Sequence, residues 1–182
     1  FINSEKYPEP SGFDNVVSGN SGYTNAYTGF ENTKYYFQTP NSKFEEALDM
    51  FAQFFIDPLF PQEYLDREVL AISSEFELTF QNDWWKLRYA LLQITDLSSP
   101  FSIFDVGNLE TLKLAPERNG LNIREEIVKH YKTHYSAYLM TGAIISNLSI
   151  SDLEKMAREK FSEVSNKNLE PLAFGEELWG KL

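Results

Sequence analysis

Cysteine is absent from these 182 residues, so neither a disulfide framework nor a thiolate metal site is available. Histidine occurs only twice, at His130 and His134, and any metal has to be held by histidine and carboxylate side chains. Positive charge is scarce: 16 Lys and Arg stand against 27 Asp and Glu, a formal net charge of −11. Phosphate binding needs clustered Lys and Arg, so the balance argues against nucleic acid and anionic membrane surfaces, while a cationic or flexible peptide remains compatible. No apolar run approaches the roughly 18 residues needed to span a bilayer. The start, Phe1-Ile2-Asn3-Ser4-Glu5-Lys6, lacks the basic and apolar regions of a signal peptide, and it lacks an initiator methionine, which fits a chain that begins within a longer protein. The missing cysteines and missing membrane span favour the cytoplasm. What is present is a globular composition, 42% hydrophobic and 15% aromatic. It suits one large domain or two small ones with a substantial core.

Residues 10–20 read as a short helix around Phe13, Val16 and Val17, closed by Gly19 and Gly22. Tyr23 to Gly29 and Lys34 to Gln38, rich in Thr, Tyr and Phe and separated by Glu31-Asn32, read as a β-hairpin. Ser42 with Glu45 forms a capping box for a helix whose face is Phe44, Ala47, Leu48, Phe51 and Phe55, stopped by Asp57-Pro58. A helix follows from about Pro61 to about Gln81, and another runs through Trp84-Trp85 to about Ile94, with a break at Asn82-Asp83. Residues 96–120, with Pro100, Gly107, Pro116 and Gly120, read as loop. Asn122 with Glu125 caps a helix to about Tyr135, Leu139 to Leu148 reads as a buried strand, and Ser151 with Glu154 caps a last helix bearing Leu153, Met156, Ala157, Phe161 and Val164. Helices and hairpins without regular strand-helix alternation place the chain in the α+β class, a mixed or antiparallel sheet packed against helices.

Glu68 and Glu75 are the informative pair. In the helix that starts near Pro61, apolar residues recur at Leu65, Val69, Ile72 and Phe76, within roughly 60° of one another at about 100° per residue. Glu68 and Glu75 point in nearly one direction on the flank of that stripe, about 10 Å apart along the axis. A carboxylate at the edge of a buried stripe is costly to desolvate unless a cation, a metal or hydrogen-bond donors meet it. The His130-Tyr131-Lys132-Thr133-His134 segment has the spacing of helical zinc ligands, yet no glutamate stands between the histidines to act as base, and Lys132 is a poor neighbour for a dication. Both rings fall on the stripe of Ile123 and Ile127, so packed histidines with backbone partners are expected there, not a metal site.

Three segments together resemble the insulinase/pitrilysin family of zinc peptidases. They are Gly22 to Phe37 with its Asn25-Ala26-Tyr27-Thr28 core, Leu65 to Glu77 with Asp66-Arg67-Glu68-Val69 leading to Ser74-Glu75, and Pro100-Phe101-Ser102-Ile103-Phe104-Asp105-Val106-Gly107-Asn108. Lys6-Tyr7-Pro8 and Phe161-Ser162-Glu163-Val164 also fit, so the similarity runs through nearly the whole chain in one register.

The resemblance implies an incomplete metallopeptidase domain over residues 1–170, with residues 171–182 as a linker toward a further domain. In that family zinc is held by two histidines of an H-x-x-E-H helix, whose glutamate is the general base, and by a later glutamate. That later ligand matches Glu75. Glu68 matches a supporting glutamate that accepts a hydrogen bond from a ligand histidine. Counting back by the family's spacing places the H-x-x-E-H helix before Phe1, so Zn2+ is expected in an intact protein and not in this piece, which is expected to be inactive alone. The strand Tyr23 to Thr28 resembles the family's substrate-docking edge, with Asn25 orienting the substrate backbone and Ala26 and Tyr27 lying against its side chains. The implied partners are peptide substrates, bound as an added β-strand, and the remaining domains of the same polypeptide, including a second homologous half. Self-association through apolar surface near Phe1, Tyr27 and the Leu65–Phe76 stripe is also expected. The alternative is a non-catalytic insulinase-like half that binds peptides or serves as a structural subunit.

Overall fold

The computed structural model describes residues 3–29, 32–96, 102 and 106–169. In chain order the elements are α1 (Gly12–Val17) with a 3-10 turn at Ser18–Asn20, β1 (Tyr23–Thr28), β2 (Thr33–Gln38), α2 (Asn41–Ile56), α3 (Gln62–Thr79) and α4 (Asp83–Ile94). A π-helical turn at Glu110–Leu114 then leads to α5 (Ala115–Arg118), α6 (Ile123–His134), a 3-10 turn at Ala137–Leu139 and α7 (Ile150–Phe161). Helices with one small antiparallel sheet among the described residues make this an α+β chain. It divides into two compact units, one of Phe1–Phe60 with His134–Leu169, the other of Pro61–Thr133 with Glu170–Leu182.

The first unit is built on α2. Phe13 and Val17 of α1 meet Ala47, Met50 and Phe54 of α2 in the buried core. Phe13 stands edge-on to Phe54 at 5.0 Å and to Phe37 of β2 at 5.6 Å, and Phe37 lies 5.1 Å from Phe51. The expected face of α2 is wider than its 3.6-residue stripe, because Asp49, Met50, Ala52 and Phe54 are also buried. α1 and α7 both pack on this helix. The Ser42–Glu45 capping box is not formed: the helix opens two residues earlier than that cap would set it, after Pro40, with no side-chain cap. The fixed φ of Pro40 sets the chain's entry angle instead. At the other end Asp57 closes the helix, and Leu59 N–H donates to the Asn3 carbonyl, tying the amino-terminal segment to the end of α2.

β1 and β2 form the expected hairpin, in the register Tyr23↔Gln38, Asn25↔Tyr36, Ala26↔Tyr35 and Thr28↔Thr33. Gly22 brings the chain into it: a side chain there would collide with the Gln38 carbonyl and with Val17, so only glycine lets α1 and the hairpin approach this closely. α7 is capped by Ser149, whose Oγ accepts from Asp152 N–H at 3.2 Å; the Ser151–Glu154 pair lies inside the helix instead. The capping pattern recurs two residues apart, and the earlier copy wins. Leu139 to Leu148 is not a buried strand. Met140 has extended backbone, but no ladder forms there among the described residues, and Ile145 is 93% exposed. A β-branched apolar run becomes a strand only when a neighbour pairs with it.

In the second unit, α3 starts immediately after Pro61 and ends at Thr79, and α4 is separated from it by Asn82, whose Oδ1 accepts from Trp84 N–H at 2.9 Å. Thr79 Oγ1 meets Tyr89 Oη at 2.7 Å, and Phe76, Phe80, Trp85 and Tyr89 form a ring cluster around that junction. Trp84, Leu87, Leu91 and Ile94 form an exposed stripe along α4. Residues 109–118 are helical rather than loop. Asn108 Oδ1 caps Thr111 N–H at 2.9 Å, and Pro116 falls in the first turn of α5, where its missing N–H costs nothing. Pro100 and most of the loop that follows it lie outside the described residues.

Candidate functional site

α3 carries the carboxylate pair. Val69 is buried and Leu65, Ile72 and Phe76 are half-buried, so the apolar stripe packs as its spacing predicts. Glu68 and Glu75 are both exposed on its flank, two turns apart. Roughly opposite them on the helix are Asp66 and Ser73. Asp66 accepts from Lys113 Nζ at 2.7 Å, and Ser73 Oγ accepts from Leu109 N–H at 3.3 Å. The helix is therefore held from the side away from the glutamates. Lys113 also holds the Asp66 carboxyl below its usual range, with a smaller contribution from Gln62. Glu63, one turn before, pairs with Arg67 on the same helix at 3.7 Å. Glu68 and Glu75 make no hydrogen bond or ion pair among the described residues.

No group of three or more His, Asp or Glu side chains gathers to hold a metal among the described residues. His130 and His134 lie on α6 at the expected spacing, but both are exposed rather than packed, because the apolar side of α6 is carried by Ile123, Ile127, Val128 and Tyr131.

The hairpin supplies the second set of residues. The Gly29 N–H donates to the Asn32 carbonyl, so the hydrogen-bonded pairs of the ladder are Tyr27↔Lys34, Asn25↔Tyr36 and Tyr23↔Gln38. The N–H and C=O groups of Thr24, Ala26 and Thr28 then point away from β2, to an edge with no strand on it among the described residues. Tyr23, Asn25 and Tyr27 share the outer face, where Tyr23 stands edge-on to Tyr36 at 6.2 Å and Lys34 Nζ sits 5.4 Å from the Tyr36 ring centre. Ala26 lies on the opposite face, across from Tyr35. The three residues singled out on this strand therefore divide, with Asn25 and Tyr27 offering side chains outward and Ala26 offering its backbone along the edge. Asn25 Oδ1 accepts from Ala26 N–H at 2.8 Å, closing one of the edge donors with a side chain of the same strand.

One polar cluster escaped the sequence reading. Asp49, 8% exposed on α2, accepts from Lys6 Nζ at 2.6 Å, from Lys160 Nζ of α7 at 3.0 Å and from the Tyr7 hydroxyl. Burial alone would raise its pKa, but these three donors outweigh it and hold the carboxyl at about 2. Burial and the bond to Asp49 push Tyr7 up to about 12. The legible signal was a lone carboxylate inside the apolar run Leu48-Asp49-Met50. A second pair joins distant parts of the same unit: Tyr35 Oη lies 2.5 Å from Tyr135 Oη, with burial first and Tyr135 second raising the Tyr35 pKa.

A family model described as Insulinase (Peptidase family M16) matches residues 1–100, and one described as Peptidase M16 inactive domain matches residues 122–181. The chain is 38% identical to insulin-degrading enzyme of Homo sapiens over 93% of its length, and 35% identical to the A-factor-processing enzyme of Saccharomyces cerevisiae over 97%. A Schizosaccharomyces pombe protein named as a zinc protease is 40% identical over 92% of the chain. In each case the chain spans 17% of the relative's length. A crystal structure of pitrilysin superposes with a TM-score of 0.88 at 28% identity, covering 95% of this chain and 18% of that one.

Proposed function

The chain belongs to the insulinase family, peptidase family M16, and on that premise we propose that it is the part of a zinc endopeptidase that carries one metal ligand and the edge on which the substrate docks. The observation that carries this reading is the pair Glu68 and Glu75, exposed on one flank of α3, two turns apart, with side chains that have no partners among the described residues.

In this reading Glu75 is the carboxylate ligand, and Glu68 accepts the N–H of a ligand histidine, fixing its tautomer and raising its basicity. The remaining ligands and the general base come from outside this chain, so the 182 residues alone do not hydrolyse peptides. When bound, zinc supplies Lewis-acid polarisation of the scissile carbonyl and a bound water acidified towards neutrality. The chain's own work is recognition. An extended peptide adds to the outer edge of β1, using the outward groups of Thr24, Ala26 and Thr28, and main-chain pairing reads little of its sequence. Asn25 exchanges its bond to Ala26 for the peptide backbone, and Tyr27 contacts a side chain on the outer face. The substrates are small peptides or unfolded polypeptides, whose strands are free to pair.

A second reading is a non-catalytic half that captures peptides or serves as a structural subunit. The match of residues 122–181 to a model described as an inactive domain favours it. Metal analysis of the full-length protein separates the two: one zinc per chain, lost together with hydrolysis in Glu75→Gln, supports the peptidase, and a metal-free protein that still binds peptides supports the second.

A further inference from the structure

We propose that Tyr135 is a positioning residue for substrate, acting through Tyr35 on the segment Asn25–Tyr27. The inference rests on the reading of β1 as the docking edge.

β1 meets α1 near Thr24, whose Oγ1 lies 3.5 Å from Asp14 Oδ1, and its one described strand neighbour is β2, so toward Tyr27 the place of its outer edge depends on what anchors β2. The packed residues of β2 are unevenly spread. Phe37 packs against Phe13, Phe44 and Phe51 at the end near α1 and α2. Tyr35 is the next residue on that face, edge-on to Phe55 at 5.7 Å. Beyond it, Thr33 and Lys34 are exposed, so Tyr35 is the last packed side chain before the turn. Asn25, Ala26 and Tyr27 lie opposite Tyr36, Tyr35 and Lys34, at and beyond this last anchor. Ala26 and Tyr35 form a non-hydrogen-bonded pair, the closer of the two antiparallel spacings, with both side chains on one face. A shift of Tyr35 is therefore felt at Ala26, whose outward N–H and C=O belong to the docking edge.

The ring contact with Phe55 sets how near Tyr35 lies to α2. The hydroxyl contact with Tyr135 at 2.5 Å adds a directional restraint that ring packing does not give. Tyr135 is itself firmly placed. The next residue, Ser136, is fully buried, and its Oγ donates to Asn166 Oδ1 at 3.1 Å and accepts from Lys167 N–H at 2.9 Å. Ala137 N–H donates to the Ser165 carbonyl at 3.0 Å. The hydroxyl pair thus transmits the position of this buried segment to the middle of the hairpin.

The test uses the full-length protein, its Tyr35→Phe and Tyr135→Phe variants and the double variant, with an internally quenched peptide as substrate. Phenylalanine keeps the rings and removes only the hydroxyl contact. The inference expects KM to rise on the order of fivefold in each single variant, the worth of one neutral hydrogen bond, with kcat and zinc content unchanged and no further rise in the double variant. A KM equal to the parent's, or a kcat that falls while KM stays constant, overturns it. Amide hydrogen exchange with and without a bound, uncleaved peptide separates this failure from failure of the docking reading. If peptide protects residues 24–28 equally in the parent and in Tyr135→Phe, the positioning role alone falls. If peptide leaves these amides unprotected in the parent, the docking edge falls and the positioning role with it.

Discussion

Asn25 Oδ1 accepts the Ala26 N–H at 2.8 Å, so a side chain occupies a main-chain donor on the open edge of β1. An unpaired edge invites pairing with any extended chain, and a side chain that satisfies one of its donors blunts this without closing the edge for good. Replacing Asn25 with Ala leaves the Ala26 N–H to water. Hydrogen exchange at Ala26 is expected to quicken severalfold, and peptide cleavage by the full-length protein to lose affinity, with KM rising by roughly three- to tenfold for one or two lost hydrogen bonds. Unchanged exchange at Ala26 in Asn25→Ala would show that the side-chain bond does not form in solution.

Asp49 predicts the pH response of the first unit. Its folded pKa, about 2, lies below the ordinary value of 3.8, so it contributes stability that is fully present above pH 4 and is lost as pH falls through about 2. The side chain is only 12% exposed, and the shift corresponds to about 2 kcal/mol. Tyr7 works in the opposite direction. Its pKa is raised from 10.0 to about 12, so its contribution is complete below pH 10 and fades as pH rises through about 12. Urea unfolding across pH is expected to show both losses in this chain, and Asp49→Asn to remove the acid one at a cost of roughly 2–3 kcal/mol at neutral pH, because Lys160 is left poorly solvated without its carboxylate.

His130 and His134 are expected to play no part in metal binding. Changing both to Gln should leave the zinc content of the full-length protein unchanged by atomic absorption. A lost ion would move the site to α6.

The isolated chain is expected to self-associate, and of the surfaces expected to drive it Tyr27 is 54% exposed. Phe1 lies outside the described residues, and the Leu65–Phe76 stripe is mostly packed. Trp84, Leu87, Leu91 and Ile94 of α4, all more than half exposed, are the larger apolar surface. Light scattering should report species larger than a monomer at high concentration, and Leu87→Lys with Leu91→Lys should restore the monomer.

How legible this was from sequence varied with the kind of signal. The hairpin, α3 and the cap at Asn122 were readable because each is written in local chemistry: alternation, an apolar stripe, a side chain three residues before its donor. The two capping boxes at Ser42 and Ser151 were misread for the opposite reason. Before α7 two such patterns stand two residues apart and the earlier is used, while α2 opens after Pro40 with no side-chain cap at all. Residues 139–148 read as a strand because Ile144 and Ile145 favour extended backbone, but a ladder depends on a partner that composition does not name. The helical turn at 109–118 was hidden by Pro116 and Gly120, of which one starts a turn and the other, at φ 73°, ends it. In the candidate site, Glu68 and Glu75 were visible through spacing and resemblance, whereas Asp49 with Lys160 and Tyr35 with Tyr135 were not, since their partners stand about a hundred residues away.

The most direct measurement is zinc per chain in the full-length protein and in its Glu75→Gln variant, made beside peptide hydrolysis. The account predicts near one ion and activity in the parent, with both gone when the carboxylate becomes an amide. A variant that keeps its zinc and cleaves peptides at the parent's rate would contradict it.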